Sequence, residues 1–251
     1  MEADFRGRSA LVTGGGTGLG RAIAVAFSAR GASVLITGRR EAPLRETAEL
    51  LRERGTEAIW MAGDVSIASD VESWVRTVLK RFGSLDFACN NAATEGAGGP
   101  IAGEAEEDFD RTVAVNLRGA WLCMKYEMRA MHQGGRGAIV NMSSLNADRS
   151  SAGYAAYCAT KAAVESLTRT AALEGAPDGI RVNALRAGAF ATDMLDRAHS
   201  PQEMEELASE IPLGRIGDPS EAAAFVTWLC SDAASYVTGQ SLTIDGGLTA
   251  S

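Results

Sequence analysis

The sequence of 251 residues predicts an α/β chain built on one doubly wound parallel sheet, and three observations carry that prediction. Short apolar runs alternate with longer segments of helical periodicity along the whole chain, the pattern of a parallel sheet with helices on both faces. A glycine-rich turn separates the first apolar run from the first helical segment. No Pro- or Ser-rich linker, internal repeat or low-complexity tract divides a chain of this length, which suffices for one well-buried core.

Taken in order, residues 9–13 read as the first strand and 19–30 as the first helix, with apolar positions three and four apart. The second strand is expected at 33–37 and the second helix at 42–54. Strands at 57–62, 85–90, 137–142 and 180–185 continue the series, with helices at 67–81, 106–132 and 155–174 between them. A helix at 220–229 and a strand at 240–244 close it. Right-handed crossovers then give a Rossmann-type fold of three layers, α/β/α, in a single domain spanning 1–251. Only 188–218 is irregular, with a weak amphipathic helix at 201–211 between Gly/Pro-rich ends. An excursion of that length between sheet elements is expected to form a substrate loop or lid. The plainer alternative is a surface insertion over a sheet edge.

A net charge of −8 and a pI near 4.9 argue against nucleic-acid and anionic-membrane partners. Cys89, Cys123, Cys158 and Cys230 are widely spaced, and the two histidines share no motif, so no metal is expected and the thiols are expected to be free. Residues 1–7 lack the apolar core of a signal peptide, and no run is long enough to span a membrane. A cytoplasmic address is therefore expected.

The turn Gly14-x3-Gly18-x-Gly20, with Thr17 and Leu19 inside it, opens the first helix. Backbone N–H groups and the helix dipole at such a turn favour a pyrophosphate. The spacing differs from the Gly-x-Gly-x-x-Gly of many dinucleotide sites. An NAD site of this type places an acid after the second strand; here Arg39 and Arg40 follow Gly38. Two guanidinium groups suit a 2′-phosphate, which favours NADP(H) and leaves NAD(H) open. The plain alternative is two arginines projecting into water.

Tyr157 and Lys161 stand four apart in a predicted helix, thirteen and seventeen residues after Ser144. Residues at that spacing share one helix face. An ammonium beside a phenol is expected to pull its pKa down from about 10, making a proton donor and acceptor near neutral pH.

With these residues in view, the sequence resembles the short-chain dehydrogenases/reductases over almost its whole length. The likeness is carried by Thr13-Gly14-x3-Gly18-x-Gly20, Gly63-Asp64-Val65, Asn90-Asn91-Ala92-Ala93, Val115-Asn116-Leu117, Ser143-Ser144, Tyr157-x3-Lys161, Ile180-Arg181-Val182-Asn183 and the segment 239–247. The resemblance implies hydride transfer between a nicotinamide and a carbonyl or secondary alcohol. It implies Tyr157 as acid and base, Lys161 as its partner and ribose ligand, Ser144 as a hydrogen-bond donor to the reacting oxygen and Asn116 as holder of a relay water. It places Asp64, Val65 and Asn90 on the adenosine side. Asn91, Ala92, Gly188 and Thr192 join the coenzyme contacts, with a helix N-cap as the alternative for Thr192. Leu145, Asn146, Tyr154, Phe190 and Met194 are candidate substrate contacts. Ala187 stands where the family commonly has proline, which leaves that loop less pre-organised. Ala93 replaces a usual glycine, which requires a negative φ.

The leading expectation is a carbonyl reductase or secondary-alcohol dehydrogenase. A 3-oxoacyl carrier-protein reductase, with Arg129, Arg136 and Arg169 as a docking patch, and a sugar or polyol dehydrogenase are rivals. A nucleotide-sensing regulator on the same fold is more remote, since it would be expected to lose the acid–base residues. A homotetramer is expected, using helix faces with Ala155, Ala159, Ala162, Ala163, Val164, Leu167, Trp121, Met124 and Met128, and a second surface near Trp228 and Tyr236.

Overall fold

The computed structural model describes residues 5–198 and 200–250, apart from the side chains of Met194, Asp196 and Ala198. Its strands are β1 (Ser9–Thr13), β2 (Ser33–Gly38), β3 (Ala58–Ala62), β4 (Phe87–Asn90), β5 (Gly137–Ser144), β6 (Ile180–Ala187) and β7 (Ser241–Ile244). They form one parallel sheet in the order β3-β2-β1-β4-β5-β6-β7. The order reverses between β1 and β4, the switch point of a doubly wound sheet.

The helices are α1 (Gly18–Ala29), α2 (Glu41–Glu53), α3 (Ala68–Phe82), α4 (Glu106–Val113), α5 (Gly119–Gly134), α6 (Ala155–Gly175), α7 (Asp193–Ala198), α8 (Pro201–Glu210) and α9 (Pro219–Cys230). Strand alternation sorts the core into two layers. Val12, Val34, Ile36 and Val140 pack with Ile23 and Phe27 of α1, Leu44 and Leu51 of α2, and Val226 and Leu229 of α9. Leu11, Leu35, Ile139 and Val182 point the other way, onto Trp74 and Val78 of α3 and Leu122 and Met131 of α5. Capping boxes start α8 (Ser200 with Glu203) and α9 (Asp218 with Glu221), each with proline at the first helical position.

Three features depart from the sequence expectations. The single helix expected over 106–132 is split by a π-helical stretch, Ala114–Arg118, between α4 and α5. Asn116 sits in that stretch, with its amide committed to the backbone of Thr94, a contact that local periodicity does not encode. β5 and β6 each run two residues further than expected, to Ser144 and Ala187, because the backbone ladder continues where the apolar run stops. The six-residue α7 was not expected at all.

A buried polar layer lies between the sheet and α5. Asn90 and Asn141 are register partners, and Asn90 Nδ2 donates to Asn141 Oδ1 at 2.9 Å and to Glu127 Oε2 at 3.0 Å. Asn141 Nδ2 donates onward to Thr168 Oγ1 at 2.9 Å. Glu127 has no exposed surface, and burial pushes its carboxyl from 4.5 up to about 8, opposed by the Asn90 hydrogen bond. Between those two values the folded chain holds a proton that the unfolded chain has released. Stability is therefore greatest below pH 4.5 with respect to this group and is lost as pH rises towards about 8. Glu127→Gln keeps the shape and removes the charge. It is expected to flatten that part of the stability–pH curve, read from urea unfolding at several pH values. Identical slopes in the two proteins would show that Glu127 ionises normally.

Candidate active site

The carboxyl ends of the strands open into a cleft of about 620 Å³, within the usual size of a small-molecule or coenzyme site. The β1–α1 turn forms one wall, with Gly14, Thr17, Gly18 and Leu19 on its surface. No side chain caps the first turn of α1, and Thr17, Gly18 and Leu19 at its start line the cleft. Gly20 is not on the surface. It lies beneath the turn, where a Cβ would stand 2.1 Å from the Gly14 carbonyl oxygen. Arg39, Arg40, Asp64 and Val65 line the far end. Asp64 Oδ1 accepts from Ser66 N and Oγ at 2.8 and 2.7 Å. Asn91 and Ala92 also line the cleft, and their backbone N–H groups both donate to Thr13 Oγ1 at 3.0 Å, pinning the loop after β4 to the end of β1.

The other half gathers Ser144 from the end of β5, Tyr157 and Lys161 from the first turns of α6, and Gly188 and Thr192 from the segment after β6. Gly188 N donates to Ile244 O at 2.9 Å, and a Cβ on Gly188 would stand 2.7 Å from Asp245 Cα, so the chain there admits only glycine without a shift. Thr192 lines the cleft, and its Oγ1 accepts a long bond from Leu195 N at 3.4 Å. Leu145, Asn146, Tyr154 and Phe190 line the same half, while the side chain of Met194 lies outside the described residues. Ala93 meets its condition, since no non-glycine residue among those described has a positive φ.

Ser144 hydrogen-bonds the Tyr157 phenol. Lys161 Nζ donates to Met142 O at 2.7 Å and stands 5.5 Å from the centre of the Tyr157 ring. The phenol does not titrate as its spacing from Lys161 suggests. Burial pushes it up to about 12, outweighing the Ser144 bond, with smaller contributions from the charges of Glu95 and Cys158. Burial likewise brings Lys161 down to about 8. Spacing reveals a neighbouring charge but not the desolvation that outweighs it.

One residue is not where the sequence suggested. Asn90 is buried in the polar layer under the cleft, not on the adenosine side, because strand alternation turns it away from Asn91. Asn116 does not line the main cleft. Its Nδ2 donates to Thr94 O and Thr160 Oγ1 at 2.8 and 3.2 Å, and it borders a separate cavity of about 10 Å³ shared with Lys161. Arg136 directly precedes β5, and Arg129 and Arg169 lie late in α5 and α6, so all three sit towards the end of the sheet opposite the cleft. Arg136 is also paired with Asp86 at 2.9 Å. Cleft residues missed in the sequence include Glu95, Ser151, Leu207 and Leu248. The signal for Glu95 was its place just past the carboxyl end of a strand beside the switch point.

A family model described as Enoyl-(Acyl carrier protein) reductase matches residues 14–249. A short chain dehydrogenase/reductase of Aspergillus oryzae is 38% identical over 98% of this chain and 96% of its own length.

The chain belongs to the short-chain dehydrogenase/reductase family.

Another relative, a 2,5-dichloro-2,5-cyclohexadiene-1,4-diol dehydrogenase of Sphingobium indicum, is 40% identical over 99% of both chains. The crystal structure of levodione reductase superimposes with a TM-score of 0.94 at 36% identity, covering 98% of this chain and 99% of its own. As a short-chain dehydrogenase/reductase, the protein is an oxidoreductase acting between CH–OH and C=O with a nicotinamide coenzyme. No helix among the described residues is long and apolar enough to cross a membrane.

Proposed function

We propose that the protein is an NADP(H)-dependent carbonyl reductase or secondary-alcohol dehydrogenase in which Tyr157 exchanges the substrate proton. The observation that carries this reading is the convergence of Ser144, Tyr157 and Lys161 on the cleft into which the glycine turn opens. The residues fit a dinucleotide: an uncapped helix start for the pyrophosphate, and Arg39 and Arg40 at the adenosine end for a 2′-phosphate. When bound, the nicotinamide supplies or accepts the hydride. Tyr157 Oη donates its proton to the carbonyl oxygen in reduction, and only its phenolate form takes one from the carbinol in oxidation. A phenol held at about 12 is neutral at physiological pH, the form that donates. Ser144 Oγ steadies the reacting oxygen as charge develops on it. Lys161, anchored on Met142, keeps a positive charge under the phenol, and would hold the nicotinamide ribose when the coenzyme is bound. The small cavity beside Asn116 and Lys161 has room for about one water, which would pass protons to Lys161.

The chain is read as one domain with 188–218 as its lid, because α7 and α8 fall in that excursion and Leu195, Arg197 and Leu207 border the cleft. A regulator without catalysis is disfavoured by the intact acid–base set. Carrier-protein docking on Arg129, Arg136 and Arg169 is disfavoured by their distance from the cleft mouth.

Absorbance assays with both coenzymes over ketones, sugars, steroids and 3-oxoacyl thioesters test the reading; no coenzyme oxidation with any of them would count against it. Arg39→Asp should repel a 2′-phosphate and shift preference towards NADH by about 1–3 kcal/mol, the scale of a lost charge-assisted contact. Equal KM for NADPH and NADH in the unmodified protein would reduce both arginines to surface charge.

A cytoplasmic homotetramer completes the reading. Ile101, Phe109 and Trp121 are exposed around α4 and α5, and Trp228 and Tyr236 are exposed near β7, with Phe225 stacked on Trp228. These patches would form two isologous interfaces. Met124 and Val164 take no part, being buried in their own subunit. Light scattering is expected to find roughly 105 kDa, four times the 26.2 kDa chain. A 26 kDa particle at micromolar concentration would refute the assembly.

A further inference from the structure

The stripe of α6 that carries Tyr157 and Lys161 continues one turn further to Glu165, a buried acid that the proton transfer does not use. Its oxygens accept bonds from two strands. Ser143 Oγ donates to Glu165 Oε1 at 2.8 Å. The Arg186 guanidinium donates in a fork, Nε to Oε1 and Nη2 to Oε2, both at 2.7 Å. Ser143 and Arg186 are register partners on β5 and β6, so their side chains leave the sheet on one face, against α6. Arg186 Nη1 also stands 3.6 Å from Asp148 Oδ2, just past the turn that follows Ser144. Burial pushes the Glu165 carboxyl up, but the hydrogen bonds from Arg186 and Ser143 outweigh it and hold it below its ordinary range.

Every partner in this network adjoins the site. Ser143 precedes Ser144, and Arg186 precedes Ala187 and Gly188 at the cleft. α6 brings the phenol and β5 the hydroxyl that bonds it. Lys161 Nζ ties α6 to the end of β5 once, through Met142 O. The Glu165 carboxylate ties it a second time and adds β6. A guanidinium fork on a carboxylate is a planar two-point contact, so it fixes orientation as well as distance. Buried charge pairs are poor sources of net stability, which leaves alignment as the gain.

We infer that Arg186 is a positioning residue: through its fork on Glu165 it holds α6 and the ends of β5 and β6 in the alignment that sets the Tyr157 hydroxyl against Ser144 and the reacting oxygen. The inference rests on the redox reading of the cleft. Its competitor is a charge pair that serves folding alone.

Two variants separate these cases. Arg186→Lys keeps the charge and gives up the fork. Arg186→Met combined with Glu165→Met removes both charges and leaves neither buried alone, an exchange that is often neutral or stabilising. Each is assayed with NADPH and with the ketone, sugar, steroid or 3-oxoacyl thioester that the unmodified protein reduces fastest, beside an NADPH titration and a thermal melt. Arg186→Lys is expected to lower kcat at least ~10-fold with KM and the NADPH Kd within about threefold, the mark of misplaced reacting groups and not of lost binding. The double variant is expected to melt as the unmodified protein does while its kcat stays at least ~10-fold down. A pair that serves folding alone would instead recover kcat along with the melt. Unchanged kcat in either variant, a loss carried by KM or by NADPH affinity, or failure of either variant to fold would overturn the inference and leave the redox reading standing. No turnover of any of these compounds by the unmodified protein would overturn both.

Discussion

Tyr157→Phe is expected to lower kcat at least ~100-fold while the fold and coenzyme affinity persist, the scale of removing a general acid. The substitution removes one oxygen from a side chain whose ring stands over Lys161 and keeps its place there. Ser144 and Lys161 remain, the latter still anchored on Met142. The lost quantity is the proton delivered to the reacting oxygen, so the effect belongs in kcat and not in coenzyme binding. Steady-state kinetics together with NADPH fluorescence titration and a thermal melt check this. A near-normal kcat in a folded variant would remove Tyr157 from the chemistry.

Gly20→Ala is expected to destabilise the protein by about 3 kcal/mol and weaken coenzyme binding more than ~10-fold, at the upper end of overpacking effects. An added Cβ would meet the Gly14 carbonyl oxygen at 2.1 Å, the Gly14 carbonyl carbon at 2.7 Å and Asn91 Nδ2 at 2.6 Å. Two of these are backbone atoms of the turn itself, so relief requires moving the turn that frames the pyrophosphate site. The third is the amide that donates to Thr13 O at 3.0 Å and helps tie the β4 loop to β1. Urea unfolding and coenzyme titration measure the two effects separately. An unchanged midpoint and an unchanged Kd would mean that the turn opens without cost.

The strands were legible because a parallel strand buried on both faces is a continuous apolar run, as in Leu11-Val12 and Val34-Leu35-Ile36. Their ends were less legible. β6 carries Arg186 into the sheet because Glu165, twenty-one residues earlier on α6, receives both its Nε and its Nη2 at 2.7 Å. Nothing local announces such a pair. The site followed the same division. The residues that line the cleft sit at the ends of legible strands and in motifs with fixed spacing, and most were found. What failed depended on burial or on contacts across the chain: the titration of Tyr157 and the inward turn of Asn90. Nothing local marks Glu127, because a lone acid in a helical pattern reads as surface. Only the packed structure puts it against Asn90, where its charge is costly.

The central claim is hydride exchange between a coenzyme in the cleft and a substrate carbon beside Tyr157. Turnover of a ketone with NADPH carrying deuterium at the transferring position of C4 tests it most directly. The account predicts deuterium on the carbinol carbon of the alcohol, one atom per coenzyme oxidised. Coenzyme oxidation with no deuterium in the product would contradict it.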